Sequence, residues 1–523
     1  MSPVPHGVLS RVPSLPLAAI LGALTVLGFA PFYLYPLPVV TLALLIMLWR
    51  QAGSRRRAML VGFVFGLGFF LAGVSWVYVS LHDFGAMPAP LAAVLTLLFC
   101  CILAAYPAMI GYAYYVLGAQ SLLATLAVLP ALWTLADWVR GWLFTGFPWI
   151  ALGYSQVPAS PLAGYLPVLG VYGATFATAL SASLLVTLFT AWKEKSERGT
   201  AGKWSFKIHH SSFILALIWA AGYLLLQITW TTPAGAPVSV SLLQGNIPQD
   251  MKWRPDRVAP TLAAYRDLVV ASNARLIVLP ETALPLFLHE VPADYLAGLA
   301  VHARSNDGDV LIGVPERSDS RNYYNSVLSF GMAPTQTYRK SHLVPFGEFV
   351  PLKPLFGWFF EVTKIPLLDF ARGADTQQPL EVAGQRVAVD ICYEDVFGAE
   401  IIRQLPQATL LVNVSNVAWF GRSVAPQQHL QISQARALET GRYMLRATNT
   451  GMTAIIDQRG HVQQAAPEFV RAVVNGDVQG YSGMTPFVRW GNLPVIAFCL
   501  LLALGGGWLV VRGTSKIRDL PTP

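Results

Sequence analysis

From Arg11 to Arg50 the chain carries no charged side chain, and charge-free intervals recur from Arg57 to Asp83, Asp83 to Asp137, Arg140 to Lys193, 211 to 230 and 491 to 511. A membrane span needs about 20 largely apolar residues, because inside lipid every backbone polar group must be satisfied within the protein. Pro31, Pro36 and Pro38 divide the first interval into two helices. The second holds one, and the third holds two, hinged near 118–121. The fourth is long enough for two, but 142–163 is rich in Gly, Pro, Trp and Tyr and reads as an interfacial loop. With one helix in each remaining interval, the pattern predicts a multi-pass α-helical membrane body of eight transmembrane helices. The first hydrophobic run has no clear small-x-small cleavage site before Pro31, so it reads as a retained helix rather than a signal peptide.

Charge is spread unevenly along the 523 residues. Only 12 % are charged, where a soluble chain carries about a quarter. Residues 1–232 hold 11 Lys/Arg and 4 Asp/Glu, residues 233–488 hold 21 and 23, and residues 489–523 hold 4 and 1. The expected organisation is a membrane body over 1–232 with seven helices, a water-soluble domain over 233–488, and an eighth helix with a tail over 489–523. Because the basic excess lies in the hydrophobic parts and not on the soluble domain, a nucleic-acid partner is excluded. Short cytoplasmic loops collect Lys and Arg. Seven crossings with the N-terminus inside put Arg50/Arg55/Arg56/Arg57, Lys193/Lys195/Arg198/Lys203/Lys207 and Arg512/Lys516/Arg518 on the cytoplasmic side. Had 142–163 spanned, the second basic group would fall outside. Residues 233–488 are therefore expected on the extracytoplasmic side.

Within 233–488 the pattern changes to short β-rich runs: VSVSLLQ (238–244), RLIVLP (275–280), DVLIGVP (309–315), NSVLSF (325–330), RVAVDIC (386–392), TLLVNVS (409–415) and TAIID (453–457). Several are apolar without alternation, as strands buried on both faces should be. Helices fit 258–273, 293–305, 397–405 and 427–440, so the domain is expected to be layered α/β. Cys100, Cys101 and Cys499 lie in predicted spans, leaving Cys392 as the one cysteine outside them. A disulfide framework is thereby excluded.

Polar residues cluster at predicted strand ends, where α/β sheets assemble their sites. LPETALP places Glu281 just past one strand, YRKSHLVPFGEFVP places Lys340 and Glu348 at another, and DICYED places Cys392 and Glu394 at a third. Taken singly, such a Glu is more often a structural carboxylate, such a Lys a solvated charge, and such a Cys a small hydrophobe. Together they suit nucleophilic catalysis. A thiol needs a base or a positive charge to raise its thiolate fraction. Glu281 can take that proton and return it to a leaving group, while Lys340, with the backbone N–H of Tyr393, can stabilise an oxyanion. No histidine outside the spans sits in a setting suited to a Cys–His pair.

LPETALP, YRKSHLVPFGEFVPL, DICYED, NVSNVAWFG and ARALETGRYMLRATNTGMTAIID resemble the nitrilase, or carbon-nitrogen hydrolase, superfamily, and with the flanking helices the whole chain resembles the bacterial apolipoprotein N-acyltransferase family. The resemblance implies a four-layer αββα nitrilase-like domain on an eight-helix body, in the inner membrane with the domain periplasmic. It implies a catalytic triad of Glu281, Lys340 and Cys392, with Glu348, Tyr393 and Glu394 as supporting residues. Trp253 in DMKW falls where the family has a functional tryptophan. No cofactor and no metal is expected. The implied reaction is acyl transfer from a phospholipid, typically phosphatidylethanolamine, through a Cys392 thioester to the N-terminal diacylglyceryl-cysteine of an apolipoprotein. One departure stands out: where the family reads Ser-Asn-Asp-Ala-Trp-Phe-Gly, this chain has Ser415-Asn416-Val417-Ala418-Trp419-Phe420-Gly421.

Two other readings use the same motifs. A membrane-tethered amidase would pass the acyl group to water, but one helix suffices to anchor it. A transporter or scaffold with a binding domain would bury ionisable residues along its spans, whereas the acids of the first 190 residues are Asp83 and Asp137, both at predicted span ends. Finally, 350–370 crowds Trp358, Phe359 and Phe360 between prolines directly after Glu348, the composition of a lipid-contacting lid. Trp419 is expected to line the substrate site with them.

Overall fold

The computed structural model describes residues 14–198, 202–318, 322–351 and 369–518. Contacts divide the chain into two units: Met1–Val77, Pro90–Ile228 and Asn492–Pro523 form one, Tyr78–Ala89 and Thr229–Gly491 the other.

The first unit is helical: Ser14–Thr25, Pro36–Arg50, Arg55–Val74, Ala89–Val116, Leu129–Arg140, Leu166–Arg198, Gly202–Gln227 and Leu493–Arg518. Pro36 begins its helix where a missing N–H costs nothing, and Ser54 caps the next by accepting from the Arg57 N–H at 3.2 Å. Among the described residues, Arg55–Val74, Ala89–Val116, Pro161–Glu197 and Phe206–Gln227 are long and apolar enough to cross a membrane, while Ser14–Gly28, Pro36–Arg50 and Leu493–Leu509 are apolar but shorter. The first and third helices approach closely. A Cβ on Gly22 would lie 2.0 Å from the Phe65 carbonyl oxygen, and one on Gly68 2.2 Å from that of Ala19, so only glycine permits this packing. Residues 142–163 form no long helix and fold as short 3₁₀ turns. Arg140, 2 % exposed, organises them: it donates to the Phe147 and Trp149 carbonyls and pairs with Asp137 at 2.9 Å, whose other oxygen accepts from Leu152 N–H.

The second unit is built on two six-stranded sheets. The first runs in the order Ala472–Val478, Val238–Gln244, Leu276–Val278, Asp309–Arg317, Tyr323–Gly331, Thr337–Arg339, and the second in the order Val462–Ala465, Ala454–Ile456, Met444–Thr448, Leu410–Ser415, Gln385–Ile391, Leu380–Val382. In each, three central strands are parallel and the flanking ones antiparallel. Val240, Leu242, Leu276, Val278 and Leu311 of the first sheet pack with Val387, Val389, Leu410, Val412 and Leu445 of the second in one interior cluster. On the outer face of the first sheet, Ile277, Val310 and Ile312 meet Leu268 and Val269 of the helix Pro255–Val270 and Leu299 of Ala293–Ser305. On the outer face of the second, Leu411 and Met444 meet Leu430 and Ala437 of Ala425–Thr440. Four layers, αββα, result. A buried side chain of this size contributes about 1.5–3 kcal/mol, which is why the central strands are apolar on both faces.

This topology gathers the strand ends. The parallel strands of each sheet all finish at one edge, and Thr337–Arg339, reversed twice from Asp309–Arg317, finishes there too. Met444–Thr448 was not anticipated: Arg446 interrupts its apolar run, yet it is fully buried and donates to Asp395 at 3.2 Å and to Asn413 at 2.7 Å. Ala472–Val478 and the short strands Leu380–Val382 and Val462–Ala465 also lacked a sequence signal.

Candidate active site

Cys392 follows the strand Gln385–Ile391 and opens the 3₁₀ turn Cys392–Val396 with φ +56°. That left-handed conformation is uncommon for a residue with a Cβ and concentrates at functional sites. Two donors hold it from behind, Asn413 Nδ2 at 3.1 Å and His429 Nε2 at 3.2 Å, both on the Cys392 carbonyl. The cysteine is half-buried. Burial pushes the thiol well above the ordinary range, Glu281 and Glu348 push it further, and Lys340 only partly opposes them. At rest the sulfur keeps its proton.

Glu281 sits just past Leu276–Val278, and Thr282 beyond it has φ +44°. Its Oε1 accepts from Asn325 Nδ2 at 2.7 Å and its Oε2 from the Asn416 N–H at 2.8 Å. Lys340 Nζ stands 3.6 Å from Oε1 and donates to Glu348 at 2.9 Å. Glu348 accepts also from Asn325 Nδ2 at 3.0 Å and from Val344 N–H at 2.8 Å. Burial favours a protonated Glu281, but Lys340, Asn325, Lys252 and the Asn416 N–H outweigh it and hold the carboxyl below its ordinary range. Burial alone would lower Lys340, yet Glu348, Glu281 and the Cys392 sulfur raise it well above the usual ammonium value. The three groups meet as an ionised carboxylate, a fixed cation and a neutral thiol.

Glu394 points elsewhere. Its Oε1 accepts from Ser341 N–H, Ser341 Oγ and His342 N–H at 2.7, 3.0 and 3.0 Å, and its Oε2 from Ile391 N–H and Tyr338 Oη at 2.7 and 3.0 Å. It ties the segment after Lys340 to the residue before Cys392. Glu394→Gln would set an amide N–H₂ against donors on one side. Leaving buried donors unsatisfied costs about 1–3 kcal/mol, so the variant should melt at a lower temperature and acylate more slowly, both measurable on purified protein.

A family model described as the apolipoprotein N-acyltransferase N-terminal domain matches residues 21–184, and one described as carbon-nitrogen hydrolase matches 239–486. A relative named apolipoprotein N-acyltransferase from Nitrosomonas europaea is 56 % identical over 497 residues, covering 95 % of this chain and 97 % of that one. The chain belongs to the apolipoprotein N-acyltransferase family. Relatives of the same name from Chromobacterium violaceum and Methylococcus capsulatus are 45 % and 43 % identical, covering 94 % and 91 % of this chain and 93 % and 92 % of theirs.

The remaining expected residues lie as follows. Tyr393 is buried, its ring edge-on to Phe397 at 5.2 Å. Trp253 and Trp419 are 45 % and 41 % exposed. The Trp419 carbonyl accepts from Ser80 Oγ at 2.8 Å, and its ring meets Phe84 edge-on at 6.3 Å. Val417 is 1 % exposed, so an apolar side chain suits its surroundings. Trp358, Phe359 and Phe360 lie outside the described residues. Asn325, Asn416 and Lys252 had not been singled out in the sequence. Asn325 stood inside an anticipated strand and Asn416 inside a quoted motif, and Lys252 is next to Trp253. Lys252 is 2 % exposed, its Nζ 2.6 Å from Thr282 Oγ1. Among the described residues no three His, Cys, Asp or Glu side chains are grouped as metal ligands would be.

Proposed function

We propose that this protein N-acylates the N-terminal diacylglyceryl-cysteine of apolipoproteins, taking the acyl chain from a phospholipid such as phosphatidylethanolamine. The observation that carries this reading is a cysteine on a strained strand-end turn, beside an ionised Glu281 and a cationic Lys340, in a chain of this family. Cys392 Sγ adds to the ester carbonyl while its proton passes to Glu281. A resting thiolate is disfavoured, so the proton leaves as the C–S bond forms and charge moves onto the carbonyl oxygen, where Lys340 and the Tyr393 N–H receive it. Collapse breaks the ester C–O bond, and Glu281 returns the proton to the departing lysophospholipid. The α-amine of the acceptor then attacks the thioester and regenerates the thiol. Glu348 keeps Lys340 in place, and the exposed Trp253 and Trp419 offer apolar surface to a lipid chain.

The membrane body belongs to the same proposal. Both substrates are held in a bilayer, and the apolar helices would keep the enzyme there. Eight crossings with the basic loops inside make 233–488 periplasmic, on an inner membrane.

Purified protein supplied with phosphatidylethanolamine and a synthetic diacylglyceryl-cysteinyl peptide should yield the triacylated peptide and one lysophospholipid per transfer, read by mass spectrometry. Release of free fatty acid with the peptide left unmodified would overturn the proposal in favour of hydrolysis.

A further inference from the structure

The reaction proposed above uses one buried lysine, and the site holds two. Lys252 lies in the turn preceding the helix Pro255–Val270 and is 2 % exposed. Its ammonium donates to Thr282 Oγ1 at 2.6 Å and to the Glu281 carbonyl at 3.3 Å. Among the described residues it makes no ion pair. A buried ammonium without a contacting carboxylate is expensive, and the groups that lend it electrostatic support are Glu281 and Cys392. Both are reacting groups.

We infer that Lys252 is a further positioning residue for acyl transfer: it locks the Glu281–Thr282 turn through Thr282 and supplies the positive charge that keeps Glu281 ionised before reaction. The inference rests on Glu281 being the base.

Two geometric observations support it. Thr282 is β-branched and left-handed at φ +44°, a conformation that persists only when its surroundings over-determine it, and Lys252 is the side chain that grips its hydroxyl. The loop carrying Lys252 is also anchored to the group that holds the carboxylate: Asn416 donates its side chain to Gln249 at 2.7 Å and its backbone N–H to Glu281. Asn449 ties that loop down further, accepting from Ile247 N–H at 2.9 Å and donating to Asn416 at 3.1 Å.

The charges also balance. Glu281 faces Lys340 from the end of Thr337–Arg339, Glu348 across Asn325, Cys392 on its turn, and Lys252; Lys252 in turn faces Glu281 and Cys392. Two cations thus meet two carboxylates around a neutral thiol. Burial pulls Lys252 down to about 8, with Glu281 and Cys392 opposing, so it is still charged at neutral pH.

The test is single-turnover acylation of the full-length protein by phosphatidylethanolamine, followed against pH. Lys252→Gln keeps a donor near Thr282 but loses the charge, Lys252→Met loses both, and Thr282→Val keeps the charge but loses the bond. Wild-type activity should fall on the acid side as Glu281 is protonated, and Glu281→Gln should abolish that limb. Both Lys252 variants should move the limb upward by about one pH unit, as removal of a nearby opposite charge requires. Thr282→Val should slow acylation about tenfold with the limb unmoved, a loss of orientation without a loss of charge. Should one Lys252 variant fail to fold, the other carries the test. A limb that survives in Glu281→Gln overturns the base assignment and this inference with it. A limb abolished in Glu281→Gln but unmoved in the Lys252 variants overturns the role of Lys252 alone, leaving it a structural lysine.

Discussion

Incubated with phospholipid and no acceptor, the wild-type protein should gain one fatty-acyl mass on Cys392, released by hydroxylamine, with one lysophospholipid formed per enzyme; Cys392→Ala should gain none. The expectation follows from the geometry of the turn. Cys392 is the half-buried member of a set whose other members, Glu281 and Lys340, are 7 % and 1 % exposed, so it is the least enclosed residue of the three. Its φ of +56° is maintained by Asn413 and His429 on its carbonyl, neither of which an alanine disturbs. Alanine should therefore leave the fold intact and remove only the sulfur. Loss of a nucleophile in a comparable covalent mechanism costs on the order of 10⁶ in rate, so transfer should drop to background. A Cys392→Ala protein that still produced triacylated peptide would remove the thioester from the mechanism.

Glu281→Gln and Lys340→Met should each slow single-turnover acylation by about 10²–10⁴, but they should differ in stability. Glutamine keeps the shape of Glu281, with one of its two ends set against a donor, Asn325 Nδ2 or the Asn416 N–H. Lys340→Met removes the cation between two carboxylates and leaves Glu281 and Glu348 facing each other in a buried site. Breaking a buried pair in this way costs about 3–5 kcal/mol, visible as a lower melting temperature unless the carboxylates take up a proton. The pH dependence has a definite sign. Glu281 is held below its ordinary value in the folded protein, so the stability its ionisation contributes is present above the unfolded carboxylate range and is lost as pH falls through the folded value. Lys340→Met should raise that value and bring the acid loss of activity to higher pH. Either variant acylating at near wild-type rate would make its residue structural.

Much of the site was legible because strand ends bear a chemical signature. Glu281 and Cys392 each follow an apolar run, and parallel strands bring such ends to one edge whatever their separation along the chain, whereas Lys340 follows the polar stretch TQTYR and reaches that edge from a short antiparallel strand. Glu394 was legible as an acid near the nucleophile, but its work was not. Its five donors come from Tyr338, Ser341, His342 and Ile391, and only the crossing of those segments reveals a clamp. Arg446 shows the converse. A charge in a short run argues against a central strand, and here Asp395, Asn413 and Ser433, from other elements, all accept from the Arg446 Nη1.

By itself the sequence determined the apolar body, since long charge-free intervals cannot be solvated, and the layered domain, since non-alternating β-branched runs must be covered on both faces. It also singled out Glu281, Lys340 and Cys392 as the candidates for the chemistry. Only the tertiary structure decided how those residues are held. Asn325 reaches Glu281 across 44 residues, the Asn416 N–H across 135, and Lys252 reaches Thr282 across 30. An asparagine or a lysine bears no mark of such a task in its own neighbourhood. The physical reason is that hydrophobic pattern is a local property read along one element, whereas a hydrogen bond or a charge balance belongs to a pair, and the pair exists only once the sheets have brought both partners to the same edge.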